Sequence, residues 1–369
     1  MKKKGTMAVA AAGLLLAAAG AQALELKTGS DKVATTLYGQ VNRAAMYADD
    51  GYKDQFFHVD NDNSSTRVGL KGEVAATEGL TIGSVVEVEW QENPSNEVSM
   101  ANESIAGEFL GRHFDVWFKS QLGKLSLGKG NAASTDTSEV DLSGTTVASY
   151  ADLAVGTGFQ FYDAASNSYP AGGITVGNVF DSMDGLSRVN RVRYDSPSFG
   201  GFTLGASLAE KDTNDAALKY AGEFDGTKLE AAVALANPGK GYSQLDGSAS
   251  VLFPFGLNLT FASGTRDIDN MPAGGDDPFF MYGKIGYICK NLLADVGSTA
   301  VSVDYGVYEN VKKQTTGEEG TVYGVQLVQN LSAWNTDLYA AYQNFELENN
   351  TSADYEPISV MMAGARIKF

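Results

Sequence analysis

Phe202-Thr203-Leu204-Gly205-Ala206-Ser207-Leu208 places apolar side chains at every second position, with Thr203, Gly205 and Ser207 between them. A period of two, not 3.6, gathers the apolar groups on one face of an extended strand. The alternation returns in Leu229-Ala231-Val233-Leu235 against Lys228 and Glu230, and in Leu257-Leu259-Phe261 against Asn258 and Thr260. Val301-Val303-Tyr305-Val307 against Ser302 and Asp304 repeats it once more. Such dyads, ~9–11 residues long, are what a tilted strand needs to cross a bilayer with one face in lipid and the other in water.

Worked outward over the whole chain, the same pattern predicts strands at 34–48, 65–74, 79–91, 112–121, 124–130, 188–196, 201–211 and 214–224. It continues at 226–236, 242–253, 256–267, 279–290, 298–310, 320–330, 335–347 and 357–369. That makes sixteen, an even number as an antiparallel barrel with both ends on one rim requires, and enough to enclose an aqueous channel. The connections alternate in length. Leu122-Gly123, Ser196–Gly200, Asp225-Gly226 and Pro254-Phe255 are tight turns, whereas 49–64, 92–111, 267–278, 310–319 and 348–356 are long and polar. Short turns on one rim and long loops on the other fit an outer-membrane barrel; a soluble sandwich needs no such asymmetry. The expected fold is therefore all-β, a transmembrane antiparallel barrel in one domain.

Met1-Lys2-Lys3-Lys4, the apolar run Ala8–Gly20 and Ala21-Gln22-Ala23 read as a secretory leader, residues 1–23, cleaved before Leu24. The barrel domain then occupies 24–369. No later run is apolar and long enough for a membrane helix. Formal net charge is −18. Acidity on that scale argues against nucleic acid or an anionic membrane surface as partner and suits a surface that attracts cations. Cys289 is the sole cysteine, so an exported chain of this size has no internal disulfide.

Several segments together resemble the general diffusion porins of Gram-negative bacteria. They are Leu37-Tyr38-Gly39-Gln40, Ser65–Glu73, Leu125–Lys129, Asn190–Pro197 with Gly200-Gly201-Phe202, and the terminal Phe369. The resemblance implies a homotrimer in the cell outer membrane, embedded in lipid and lipopolysaccharide, each subunit a water-filled barrel whose third long loop folds into the lumen. That loop is expected at 130–187. In similar porins acids on it face basic residues on the wall. Here Arg67, Lys129 and Arg188 stand where the family carries wall cations, with Arg191 or Arg193 as alternatives to Arg188. Lys71 shares the face of Arg67 opposite Val68 and Leu70, and so points into the lumen. The expected pore acids are Glu139, Asp141 and Asp152, with Asp163 further along the loop. Glu87 and Glu89 alternate with Val86, Val88 and Trp90 and join them, as selectors of ions or as ion-pair partners of Arg67 or Lys71.

Two features depart from the family: Gln40 stands where relatives often have lysine, and the Pro-Glu-Phe motif of the constriction loop is absent. Phe369, with Ile367, Ala365, Ala363 and Met361 at alternate positions before it, resembles the signal read by the barrel-assembly machinery. Tyr38, Tyr47, Trp90, Phe114, Trp117, Trp334, Tyr339 and Phe345 are expected in aromatic girdles.

The chemistry of an enzyme is missing from the pattern. His58 and His113 are the only histidines, without metal-ligand spacing, and His58 is expected as a solvated loop residue. Asp60-Asn61-Asp62-Asn63-Ser64 lacks the glycine and distal glutamate of a calcium loop and reads as a solvated acidic loop. No nucleotide fingerprint occurs, so no metal, cofactor or catalytic residue is expected. The expected function is passive diffusion of small hydrophilic solutes and ions, cations preferred. The alternatives are a solute-selective channel and, further off, a barrel hydrolase or adhesin.

Overall fold

The computed structural model describes residues 24–26, 33–290, 292–293 and 296–369; the expected leader lies outside them. The strands are β1 (Leu24–Leu26), β2 (Val33–Asp49), β3 (Asp54–Asp60), β4 (Arg67–Thr77), β5 (Leu80–Gln91), β6 (Glu108–Ser120), β7 (Gly123–Asn131), β8 (Arg188–Asp195) and β9 (Phe202–Ala209). They continue as β10 (Asn214–Phe224), β11 (Thr227–Asn237), β12 (Tyr242–Leu252), β13 (Leu257–Ile268), β14 (Phe279–Lys290), β15 (Ser298–Glu309), β16 (Glu319–Leu331), β17 (Thr336–Glu348) and β18 (Ile358–Lys368). All pair antiparallel with their neighbours, and β18 pairs with β2, which closes the sheet. Because β3 and β4 follow each other along one edge of β2, they form one stave, and the wall is a sixteen-stranded barrel. No helix among the described residues is long and apolar enough to cross a membrane.

Apolar side chains at alternate positions face outward and stay exposed, among them Leu204, Leu208, Val233, Leu235, Val301 and Val303. The positions between them, such as Ser207, Asp246, Ser302 and Asp304, are buried on the inner side. That is the inversion of a soluble protein, and it follows from lipid outside and polar contents within.

Two expected boundaries are corrected. Residues 54–60 were expected in a loop but form β3. Their alternation is hidden because the inward residues, Phe57 and Val59, are themselves apolar and fully covered. His58 therefore lies on a strand, edge-on to Phe56, not in a solvated loop. β6 starts at Glu108, four residues before the predicted 112, because a register shift opposite Glu87 and Val88 breaks the period there.

Residues 132–187 connect β7 to β8 and lie against the polar face of the wall. Ser134 donates to Asp215 on β10, Thr137 to Asp246 on β12 and Ser149 to Asp304 on β15. The amides of Val140 and Leu142 donate to Ser248 and Ser250 on β12, 2.9 Å each. Gln343 on β17 reaches Ser149, and Asn61 and Asn63, after β3, reach the carbonyls of Val147 and Ala148. A segment that meets staves all around the barrel can do so only from within it. Its own apolar residues, including Leu153, Phe159, Phe161, Ile174 and Phe180, complete a core with Met46, Phe57, Phe280, Tyr308, Phe345 and Ile358 from the wall. The Asp60–Ser64 stretch, expected as a solvated loop, is instead part of this packing: Asp60 and Asn61 are both fully buried.

Closure depends on the last residue. Phe369 exchanges two backbone hydrogen bonds with Gly39, 2.9 and 3.0 Å, and its ring lies so close over Gly39 that an added Cβ would come within 2.7 Å of it. β1 continues the line of β18 along β2, with Leu24 opposite Leu37. Deleting Phe369 is expected to remove these two bonds, about 1–3 kcal/mol together, and the covering of the seam. Heat-resistant barrel on unheated gels should fall several-fold, while the conductance of barrels that do form stays unchanged. Full assembly of the truncated chain would show that the seam closes without this residue.

Candidate functional site

The inner wall between β4 and β8 gathers the cations. Arg67 opens β4 with Val68 and Leu70 facing out beside it, so its guanidinium points inward. It lies within electrostatic reach of Arg112, Arg188 and Arg366, four arginines converging from β4, β6, β8 and β18. Among the described residues neither Arg67 nor Arg188 has a carboxylate at ion-pair distance, and Nε of Arg188 is buried without a hydrogen-bond partner.

Arg112 is absent from the expectations. The alternation of Phe114, Val116 and Phe118 points it toward lipid, but the register shift leaves it as the extra residue of a bulge and turns it inward. There it donates from Nε to Glu87, 2.6 Å, and from Nη1 to Glu89, 2.5 Å. Glu87 also accepts from Tyr38, and Glu89 from Ser65. The two glutamates thus do line the inner wall, but their ion-pair partner is Arg112, not Arg67 or Lys71. Charge-assisted forks of this kind fix geometry as well as charge.

The other expected cations are dispersed. Lys71 faces inward but lies toward the short turns, 3.1 Å from Glu73 and over the ring of Trp117. Lys129 stands opposite Phe114, an exposed outward residue, and shares the face of Leu125 and Leu127, so it belongs to the outside of the wall. Its resemblance-based assignment fails on parity: Gly130, not Lys129, points at Arg191 and His113. Arg191 and Arg193 are committed to Asp115 and Asp195. Gln40, in place of the family's lysine, donates to the carbonyls of Ser64 and Ser65, both 2.8 Å, and pins the turn before Arg67.

Opposite stand the acids of the 132–187 segment. Asp136, Glu139 and Asp184 bring one carboxylate oxygen each within 4.8 Å of one another, and Glu139 feels Arg188. Such a triad has ligand geometry for a divalent cation. Asp62, Asp152 and Asp181 border a recess of about 220 Å³ beside them, with Asn96, Thr157 and Phe180. These carboxylates keep some open surface toward the lumen yet have protein on nearly every side. Burial, then the charge of Asp184, pushes Asp152 up to about 7. Burial, then Asp136, pushes Asp184 up to about 6. Glu139 is raised for the same reasons, first burial and then Asp184 and Asp152.

Two of the expected pore acids are used elsewhere. Asp141 forms a fully buried ion pair with Lys284 on β14, 2.7 Å, where the loop crosses that stave. Asp163 accepts from the amides of Asp354 and Ala165 and ties the segment to the β17–β18 loop. Half of the expected girdle is also internal. Tyr38, Trp117, Tyr339 and Phe345 face inward by parity, whereas Tyr47, Trp90, Phe114 and Trp334 are exposed.

These shifts carry a sign. Between about pH 8 and pH 5 Asp152 and Asp184 take up protons while the arginines keep theirs, so the site loses negative charge only. A raised carboxyl pKa also means that the folded state binds the proton more tightly than the unfolded one. Its contribution to stability is therefore full at low pH and is lost as pH rises through about 6 and about 7. The zero-current potential in a KCl gradient should move toward anions over this window; a pH-independent potential would place these acids off the conduction path.

A family model of Gram-negative porins matches residues 6–350. No curated protein matches the chain in sequence. Among solved structures, the anion-selective porin from Comamonas acidovorans aligns with a TM-score of 0.59 at 17% identity, covering 91% of this chain and 100% of that one. The outer membrane channel DcaP of Acinetobacter baumannii gives 0.58 at 13% identity, over 94% of this chain and 100% of that one. The trimer form of in-vitro folded OmpT, from Vibrio cholerae, gives 0.56 at 14%, over 92% of this chain and 100% of that one. At these identities the likeness speaks for the barrel alone.

Proposed function

This chain belongs to the Gram-negative porin family and is an outer-membrane channel for solute diffusion, and we propose that it passes small hydrophilic solutes and ions, cations preferred, through a lumen narrowed by residues 132–187. What supports the proposal is the arrangement of charge: Arg67, Arg112 and Arg188 on the wall, and Asp136, Glu139, Asp152 and Asp184 on the segment, with Arg188 within electrostatic reach of Glu139. Arg112 is already neutralised by Glu87 and Glu89, so the acids outweigh the free arginines once they are ionised. A KCl gradient across a planar bilayer at about pH 8, where the acids are charged, tests it. A zero-current potential of cation sign is expected. An anion sign, as the description of the Comamonas porin would suggest for that protein, overturns the preference. The channel chemistry supports no hydrolase or adhesin reading over this one.

The working assembly we propose is a homotrimer in lipid and lipopolysaccharide, inserted by the barrel-assembly machinery through the ending Ile367–Phe369. Supporting it, Arg43 projects between Val41 and Ala45 on the outer face, about two-fifths exposed, beside a groove floored by Ala45, Ala363 and Ala340. Arg43 pairs with Asp60, 3.7 Å, and donates to the carbonyl of Glu92, 3.1 Å, and a neighbouring subunit would cover the part of it that stays exposed. The leader 1–23 is proposed to be removed before Leu24.

A further inference from the structure

Charge along the barrel axis is sorted by end. On its β4–β8 side the short-turn end of the inner wall is basic, while Glu223 and Glu230 face inward on β10 and β11 beside Lys228, and Glu78 and Asp225 sit in the turns. Lys119 and Lys124 face inward on β6 and β7 and stand directly opposite each other in the ladder, a like-charge pairing that strands normally avoid. Lys124 and Lys71 both lie over the ring of Trp117, at 5.1 and 5.6 Å, which offers them a π face in place of a carboxylate. Gly83 makes room for that ring, since a Cβ there would come within 2.2 Å of it. The acids nearby are already engaged: Glu73 with Lys71, Asp195 with Arg193, Asp115 with Arg191, and Asp337 with both Arg366 and Lys368. Among the described residues Lys119 and Lys124 have no carboxylate at ion-pair distance.

The long-loop end is the reverse. The loop after β5 carries Glu92, Glu97 and Glu103, the loop after β13 Asp269, Asp276 and Asp277, and the loop after β17 Asp354 and Glu356; the cations at this end, Lys53, Lys211, Lys240, Lys312 and Lys313, are outnumbered. The acid surplus of the whole chain is thus carried by the outer loops and the 132–187 segment, not spread over the pore.

We propose that this axial polarity makes the channel a rectifier, admitting cations from the long-loop side and anions from the short-turn side more readily than the reverse. The inference rests on the channel reading above. Fixed negative charge at one mouth enriches cations there, and fixed positive charge at the other enriches anions. A voltage positive on the long-loop side drives both enriched populations into the constriction and raises its conductance. The opposite voltage draws both out and depletes it. Small anions such as carboxylates and phosphates meet the Lys71–Lys119–Lys124 cluster as the first binding surface from the short-turn side.

The test is the current–voltage curve of single channels in symmetric KCl. Orientation is fixed by streptavidin added to one side of a Thr315→Cys, Cys289→Ser protein biotinylated at position 315. At 0.1 M KCl, with a Debye length of ~10 Å, the current at about +100 mV on the long-loop side should exceed that at the opposite voltage about two-fold, and the ratio should approach one at 1 M, where the length is ~3 Å. Lys119→Gln with Lys124→Gln should bring the 0.1 M ratio toward one without abolishing conductance. A linear curve at 0.1 M, rectification of the opposite sense, or a ratio indifferent to the double substitution overturns the proposal. Absence of any conductance would instead overturn the channel reading beneath it.

Discussion

Lys284→Met is expected to loosen the middle of the 132–187 segment from the wall and to give larger, noisier channels in a barrel that still assembles. The Lys284 ammonium donates to Asp141, 2.7 Å, and to the carbonyl of Ser149, 2.6 Å, with both charged side chains almost completely excluded from solvent. Around it Asp304 is held by Tyr282, Ser149 and Gln326. Removing the ammonium leaves Asp141 buried without a counter-charge, a change that costs ~3–5 kcal/mol in comparable sites. The barrel ladder is untouched, so the strain falls on the segment. Lys284→Met combined with Asp141→Leu and Asp304→Asn removes the ammonium and both carboxylates beside it and should recover most of the wild-type conductance, because buried charges replaced together by neutral groups are often close to neutral in cost. Single-channel recording and the gel shift on heating separate the two effects. A K284M channel with wild-type conductance and noise would show that the ion pair does not hold the segment in place.

Arg112→Gln is expected to be the strongest single substitution for selectivity. It unmasks Glu87 and Glu89 together, since one guanidinium serves both. The wall loses one positive charge and leaves Glu89, and in part Glu87, which keeps Arg67 nearby, uncompensated on a partly buried wall, where pairwise interactions are stronger than in water. The cation-to-anion permeability ratio should rise about three-fold or more, against a smaller rise for Arg188→Gln, since Arg188 has no carboxylate at ion-pair distance among the described residues. Arg112→Lys should fall between, because an ammonium cannot fork to two carboxylates with the same geometry. Equal reversal potentials for wild type and R112Q would mean that this trio lies off the conduction path.

The barrel was legible because Leu204, Leu208, Val301 and Val303 face lipid, and lipid tolerates no break in the period. β3 was not, since Phe57 and Val59 face an apolar filling and erase the polar half of the dyad. Arg112 was hidden by a bulge, which shifts parity by one without any compositional mark except the Gly111 before it. Lys129 resembles a wall cation by its place in the motif, but it shares the outward parity of Leu125 and Leu127. Asp141 and Asp163 could not be separated from Glu139 and Asp152, because their partners, Lys284 and the amide of Asp354, lie more than a hundred residues away and are brought near only by the tertiary fold. What alternation reports is one wall; what fills the wall is written in contacts between distant segments.

The central claim is that this barrel is an open but constricted conduit. Its most direct test is single-channel recording of purified, heat-modifiable protein in planar bilayers. The account predicts discrete conductance steps, closing in threes as a trimer of independent pores would. Assembled protein that inserts yet produces no conductance steps would contradict it.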